Sequence, residues 1–79
     1  MDDLKMLTQE EVAEILHANI MTITMLREIG IIPAIKTGRN YMFAKEDVKS
    51  FQKEYKGLDV SNKVKALESY RVVNNKMPV

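Results

Sequence analysis

Few side chains in this 79-residue chain could carry out catalysis, and their spacing does not build an active site. The chain has no cysteine and a single histidine, His17, which excludes disulfides, thiolate chemistry and a zinc site with several histidine ligands. Glu10, Glu11 and Glu14 share one stretch of helical spacing, but such an acidic face is usually solvated. No glycine-rich phosphate loop and no serine, histidine and acid arrangement is present. We therefore expect a protein that is not an enzyme and that needs no cofactor and no metal.

Binding of a polyanion is the other chemistry open to the chain, because its charges are unevenly distributed. The net charge is +1, yet residues 1–30 carry six acids and two bases, a charge of −4. Residues 31–79 carry ten bases and five acids, a charge of +5. Such a division lets a small protein present a basic face to a polyanion. Chance is an equal alternative until the charges are placed on a fold.

Two short helices are predicted in the first thirty residues. Thr8 and Glu11 have the spacing of a capping box, in which each side chain accepts the other's backbone amide, and an amphipathic apolar pattern follows. Asn19 is suited to cap a second helix over residues 20–29, which Gly30 would end in the left-handed conformation. Because only about two residues separate the helices, this spacing favours a helix-turn-helix.

A β-hairpin and a third helix are predicted next. Residues 31–36 and 41–43 are rich in β-branched and aromatic residues and read as two strands. Between them, residues 37–40 have the composition of a turn and place Arg39 at its tip. A third helix then runs from Lys45 to about residue 55.

The C-terminal stretch has a weaker pattern. Asp59 or Ser61 would cap a fourth helix, whose inward stripe is predicted to be Val60, Val64, Leu67 and Arg71. Residues 72–79 show no period, and we expect them to be frayed. The longest apolar run is far below the ~20 residues needed to cross a bilayer, and no basic-then-apolar leader opens the chain. The sequence therefore favours a soluble, cytoplasmic domain with no membrane partner.

Four motifs in this order resemble one family, the winged helix-turn-helix proteins of the MerR and excisionase type. Residues 7–16 are similar to its opening LT-x-EE-x-A-x-x-L, and Thr22-Ile23 lies where the family has a Thr-Val pair. Residues 30–41 resemble its segment G-x-(L/I)-P-A-x-(K/R)-x-G-R-x-(Y/W), which is the most specific motif of the set. Residues 45–51 match its closing helix.

The resemblance implies a mainly α fold with a small β-hairpin wing and a DNA-binding function without enzymatic activity. Residues 1–57 would form the winged helix-turn-helix domain, and residues 58–79 a C-terminal helix and tail. Family members act as recombination directionality factors, which bend DNA so that an integrase excises a prophage or mobile element, or as small transcription regulators. The tail would contact a partner, either an integrase or a second copy of the chain.

The resemblance also implies which side chains would meet double-stranded DNA. Arg39 at the wing tip would enter a minor groove, whose negative potential attracts a guanidinium, and Lys36 and Lys45 would contact phosphates. In the second helix, Asn19, Thr22 and Arg27 would lie at the major groove, with Thr24 on a phosphate or base and Met21 or Met25 on a thymine methyl. The complete predicted set is Asn19, Thr22, Thr24, Met25, Arg27, Lys36, Arg39, Asn40 and Lys45.

The second helix departs from the family, whose members often carry several arginines at the exposed positions. Here those positions hold Ile20, Met21, Thr24 and Met25, so that bidentate reading of guanine by arginine is nearly absent. One alternative is a winged-helix protein adaptor that docks a protein on the Met21 and Met25 face, since methionine suits adaptable contacts. Another is that these residues pack against residues 58–71. We interpret His17 as structural, at a turn where the family commonly has glycine.

Overall fold

The computed structural model describes residues 4–75. Its elements follow the chain in this order: β1 (Leu7–Thr8), α1 (Gln9–Ile15), α2 (Ile20–Ile29), β2 (Ile35–Thr37), β3 (Asn40–Phe43), α3 (Lys45–Glu54) and α4 (Lys63–Asn75). The architecture is mainly helical with a small sheet, as predicted, and α1, α2 and the β2–β3 hairpin form a winged helix-turn-helix.

The helix-turn-helix begins at the predicted capping box. The Thr8 N–H donates to Glu11 Oε1 at 2.8 Å, and the Glu11 N–H donates to Thr8 Oγ1 at 3.1 Å. α1 then turns into α2 through His17, which has a φ of 53° in the left-handed region. Histidine is one of the residues that visits this region more often than most, but glycine has the lower steric cost there. This conformation supports a structural interpretation of His17.

The wing belongs to a three-stranded antiparallel sheet with the order β1-β3-β2. β3 lies in the centre, with Leu7 opposite Phe43 on one side and Lys36 opposite Tyr41 on the other. The sequence did not indicate β1, because two residues beside a helix cap carry no strand pattern of their own. This extra strand anchors the wing to the start of α1.

The first predicted strand is shorter than expected. β2 begins at Ile35 rather than residue 31, because Ile31 and Ile32 complete the end of α2 instead: their N–H groups both donate to the Leu26 carbonyl. Gly30, with a φ of 98°, makes this turn possible. Ile31 and Ile32 are then buried in the core.

A single core joins all the helices to the sheet. The fully buried large side chains are Phe43, Ile23, Leu26, Ile32 and Val12. α4 contributes Ala66 to the same core, with Tyr70 and Val73 packed against it. The C-terminal helix therefore closes the core of the winged domain.

The predicted cap and the predicted end of α4 were both wrong. The helix is capped by Asn62, whose Oδ1 accepts the Lys65 N–H at 2.9 Å, whereas Asp59 accepts from Ser61 in the preceding turn. It continues through Asn75, so residues 72–75 are helical rather than frayed, while residues 76–79 of that prediction lie outside the described residues.

The buried face of α4 also differs from the predicted stripe. Val64 is 67% exposed, and Leu67 and Arg71 are exposed as well, while Ala66 and Ser69 are buried. The small side chains allow α4 to approach the domain closely, and the periodicity of large apolar residues does not reveal this.

Candidate nucleic-acid interface

The N-terminus of α2 is built by Asn19 and Thr22, two of the predicted DNA-binding residues. Asn19 Oδ1 accepts both the Thr22 N–H at 2.8 Å and the Thr22 hydroxyl at 3.0 Å. Both residues therefore hold the helix end, which is a structural task. Among residues 4–75, the Asn19 Nδ2 group makes no hydrogen bond, so this donor is the group of the pair still open to a ligand.

Thr24 in the middle of α2 already has a partner. Gln9 Nε2 donates to Thr24 Oγ1 at 2.8 Å, and both residues are half-buried where α1 meets α2. The bond fixes α2 against the start of α1. Sequence reasoning gave Gln9 no role, because its partner lies 15 residues away along the chain.

The methionines of α2 separate into two environments. Met21 is 82% exposed and lies next to the exposed Ile20. Met25 is half-buried and packs against the core. The predicted apolar face of the adaptor alternative is thus reduced to Ile20 and Met21, and the high exposure of Met21 excludes its burial against residues 58–71.

Arg27, in the last turn of α2, reaches the wing. Its guanidinium carbon lies 3.7 Å from the centroid of the Tyr41 ring, which is close enough for a strong cation–π contact. The Nε atom is shielded from water and has no hydrogen-bond partner, and no carboxylate pairs with Arg27 within the described part of the chain. The sequence motif included Tyr41, but nothing in it indicated that Tyr41 meets Arg27.

The wing tip is a two-residue hairpin turn formed by Gly38 and Arg39. Gly38 has a φ of 69° and Arg39 does not have a positive φ, which is the pattern of a type II′ turn. Asn40 already lies in β3, where it pairs with Thr37. Arg39 is exposed at the tip.

The wing and α2 together border one cleft. It is lined by Thr8, Gln9, Glu10, Arg27, Arg39, Asn40, Tyr41 and Met42. Lys36 lies beside it, opposite Tyr41 in the sheet, with its Nζ 5.9 Å from the ring centroid. The fold thus brings Arg27 of α2 close to Lys36 and Arg39 of the wing, at the cleft that Tyr41 also lines.

Lys45 is placed elsewhere. It begins α3 and lines a second, apolar pocket with Leu7, Ile15 and Val48, away from the cleft lining. Asn19 and Thr22 border a third pocket, between the helix-turn-helix and the loop before α4. Apart from Thr24 and Met25, which line none of these pockets, the predicted residues therefore divide among three surfaces, and both arginines lie in the cleft.

Acidic groups near these surfaces are held in the charged form. The Thr8 N–H, hydrogen-bonded to the Glu11 carboxylate, lowers the pKa of Glu11 below its ordinary value. The hydroxyl and N–H of Ser61 likewise lower the pKa of Asp59. Within residues 4–75, no group of three or more potential ligands could hold a metal ion, and no helix is long and apolar enough to cross a membrane.

The fold and the cleft define a winged helix-turn-helix domain with cations at its wing. A family model described as Helix-turn-helix domain matches residues 6–56, and the chain belongs to this excisionase-like family of DNA-binding domains. Comparison with curated proteins and with solved structures gives no significant match. The predicted family is therefore confirmed: this is a small helix-turn-helix DNA-binding protein of a family that is typically non-enzymatic.

Proposed function

We propose that this protein binds duplex DNA as an excisionase-like recombination directionality factor or transcription regulator of a phage or mobile element. The observation that carries the proposal is that Arg27 of α2 lies close to Lys36 and Arg39 of the wing. In this proposal α2 is the recognition helix. In this arrangement α2 would enter the major groove while Arg39 reaches the adjacent minor groove. The proposal places the protein in the cytoplasm, with its DNA.

Phosphate and minor-groove contacts would supply most of the affinity. The groups of α2 that could read bases are few, because Thr24 and the Asn19 carbonyl oxygen already have partners inside the protein. Bending the DNA would bring further phosphates to the wing and to the start of α2. In the same proposal, Lys45 contacts a phosphate at the edge of the interface.

A partner protein would bind the outer face of α4. Val64, Leu67 and Val72 are exposed on the side of this helix that faces away from the core. An integrase, or a second copy of the chain on adjacent DNA, would cover them. This contact would allow a domain with a weak base-reading helix to act at a defined site.

The proposed DNA binding can be tested by fluorescence anisotropy with a labelled duplex at about 50 and about 200 mM salt. If about four phosphates are neutralised, the affinity of the wild type should fall about 100-fold between these salts. Arg39→Ala should weaken binding about 10-fold at the lower salt, because it removes a charged contact. Lys53→Ala is the matched control, since Lys53 is an exposed cation in the last turn of α3.

The exposed Met21 supports a second candidate, an adaptor that binds a protein through Ile20 and Met21. Such binding would tolerate salt and would be lost on Met21→Asp, a surface change that leaves the core intact. Failure of the wild type to bind any duplex at low salt would contradict the DNA proposal and favour the adaptor. Salt-sensitive binding that Met21→Asp leaves intact would contradict the adaptor.

A further inference from the structure

The cleft between α2 and the wing contains an arginine whose environment is incomplete. Arg27 is half-buried, its Nε atom is shielded from water, and that atom has no hydrogen-bond partner. A buried N–H donor normally has a hydrogen-bond acceptor, because its desolvation must be offset, and the charged guanidinium that carries this donor favours an anion as the acceptor. Among residues 4–75 the one favourable contact recorded for its charge is the Tyr41 ring at 3.7 Å.

The contact with the Tyr41 ring also fixes the orientation of the Arg27 guanidinium. A guanidinium lying on an aromatic face keeps its plane defined, so that its fork of N–H donors is held in one orientation. Arg39 and Asn40 border the same cleft and bring a second cation and an amide. Two cations facing one cleft repel each other, and an anion placed between them would relieve that repulsion.

We propose that this cleft is a binding site for one phosphodiester of the DNA backbone, with Arg27 as its ligand and Tyr41 as a positioning residue. Arg39 borders the cleft and continues from it into the minor groove. The inference rests on the proposed DNA binding and refines it. Arg27 then holds the DNA strand that passes between the recognition helix and the wing. The site makes α2 and the wing bind as one rigid unit rather than as two independent contacts.

The position of Arg27 along α2 agrees with a phosphate rather than a base. In helix-turn-helix proteins the N-terminal residues of the recognition helix contact base edges. Arg27 lies in the last turn, three residues before the Gly30 cap, at the far end of the helix. Its stack on β3 also directs it towards the wing, so we replace the predicted base contact of Arg27 with a backbone contact.

Glu10 is the one carboxylate that borders the cleft among the described residues. It is exposed in the first turn of α1, where the helix dipole stabilises a negative charge. A phosphate in the cleft would be repelled by this carboxylate. Glu10→Gln should therefore tighten DNA binding about twofold at low salt, whereas Glu14→Gln, an exposed acid on the same helix outside the cleft lining, should change it less.

The salt dependence of DNA binding tests the site directly. Affinity is measured by anisotropy at several salt concentrations, and the slope of its logarithm against the logarithm of salt gives the number of phosphates neutralised. Arg27→Gln should reduce the slope by about 0.9 and weaken binding roughly 10-fold at low salt. Lys53→Gln, which removes a charge of the same sign from the exposed last turn of α3, should leave the slope at its wild-type value.

The role of Tyr41 needs a separate pair of variants. Tyr41→Leu removes the ring that orients Arg27, and we expect it to lower the slope even though no charge is lost. Tyr41→Phe keeps the ring and should restore the slope. Circular dichroism melting of each variant shows whether it is folded, and Arg27→Lys, which keeps the charge but loses the flat fork, serves if Arg27→Gln is unfolded. Its slope should stay near that of the wild type while its affinity falls.

The outcomes separate this site from the proposed function. If the wild type binds with a salt-dependent affinity and Arg27→Gln has the same slope as Lys53→Gln, the phosphate site is overturned while DNA binding stands. A slope that Tyr41→Leu does not change overturns the positioning role of Tyr41. If the wild type does not bind DNA at about 50 mM salt, the proposed function fails, and this site fails with it.

Discussion

The exposed face of α2 and the cleft beside the wing differ in what their polar groups already do. On the α2 face, Asn19, Thr22 and Thr24 form hydrogen bonds within the protein. In the cleft, Arg27 is oriented but has no anionic partner in the described part of the chain. A polar group that already has a hydrogen bond within the protein contributes little binding free energy when DNA arrives, because it would exchange one partner for another. We therefore expect the affinity for DNA to come mainly from the cleft and the wing, with α2 contributing mainly its shape.

The largest loss of unfolding free energy should come from a change in the core that supports both the α2 face and the cleft. Phe43 is fully buried at the end of β3, which supports the wing and packs on the core below α2. Phe43→Ala should cost about 3–5 kcal/mol of unfolding free energy, enough to unfold a small domain. Urea denaturation followed by circular dichroism measures this. Met42→Ala, at the half-buried neighbouring position, is the control, and an equal loss there would contradict the central role of Phe43.

The cap of α2 provides the sharpest separation of stability from DNA contact. Asn19→Ala removes an acceptor that holds two donors of Thr22, and should cost about 1 kcal/mol in urea denaturation. The salt slope of DNA binding should stay unchanged, because no phosphate ligand is lost. Asn40→Ala is the control for stability: its side chain makes no hydrogen bond within residues 4–75, so its removal should leave the unfolding free energy nearly unchanged. A reduced slope for Asn19→Ala would show instead that the cap itself contacts phosphate.

The Gln9–Thr24 bond tests whether the middle of α2 is structural. Gln9→Ala and Thr24→Val should each cost about 0.5–1.5 kcal/mol, and the double variant should cost less than the sum of the two. Urea denaturation of the four proteins gives the coupling energy. Additive losses would mean that the bond does not contribute, and would return Thr24 to the set of groups free to meet DNA.

His17 at the turn between α1 and α2 should show a small effect of the opposite sign. Its φ of 53° suits glycine better than a side chain with a Cβ. His17→Gly should raise the unfolding free energy by up to about 1 kcal/mol, because the backbone strain at this position is relieved. The greater freedom that glycine gives the unfolded chain offsets part of this gain. Thermal melting measures the change, with His17→Ala as the control that keeps the Cβ. A loss of stability in His17→Gly would show that the imidazole makes a needed contact.

The acids near the surface should give the weakest effect, because Glu11 and Asp59 are exposed. Their hydrogen bonds lower the folded pKa of both groups, so the unfolded chain takes up protons first as the pH falls. The stabilisation is therefore present above about pH 4 and is lost as the pH falls through the folded pKa. Asp59→Asn should flatten the dependence of melting temperature on pH below 4. A pH profile equal to that of the wild type would contradict this assignment.

Local signals made much of the fold predictable. The capping box, Asn19, Gly30 and the hairpin turn are each defined by residues that lie within a few positions of one another, and the structure contains all four. The start of β2 was misplaced because Ile31 and Ile32 suit a strand and a helix end equally well. The inward face of α4 was misplaced because packing selected small residues, Ala66 and Ser69, over larger ones.

The candidate site was less predictable, since its contacts join distant parts of the chain. The Arg27–Tyr41 stack and the Gln9–Thr24 bond link residues about 15 positions apart through the fold, and no periodicity encodes either pair. The resemblance to the family did predict Lys36 and Arg39 as wing residues that meet DNA. The charge pattern could not show that Arg27, in the acidic half, is carried across to join them.

The most direct test of the account is a titration of the ¹⁵N-labelled protein with a short duplex, followed by NMR of the backbone amides and the arginine Nε–H groups. The account predicts that the largest shifts fall on residues 36–41 and on the Arg27 Nε–H signal, which has no hydrogen-bond partner in the free protein. Backbone amides at the start of α2 should move less. Shifts confined to Ile20, Met21 and α4, with the Arg27 and wing signals unchanged, would contradict it.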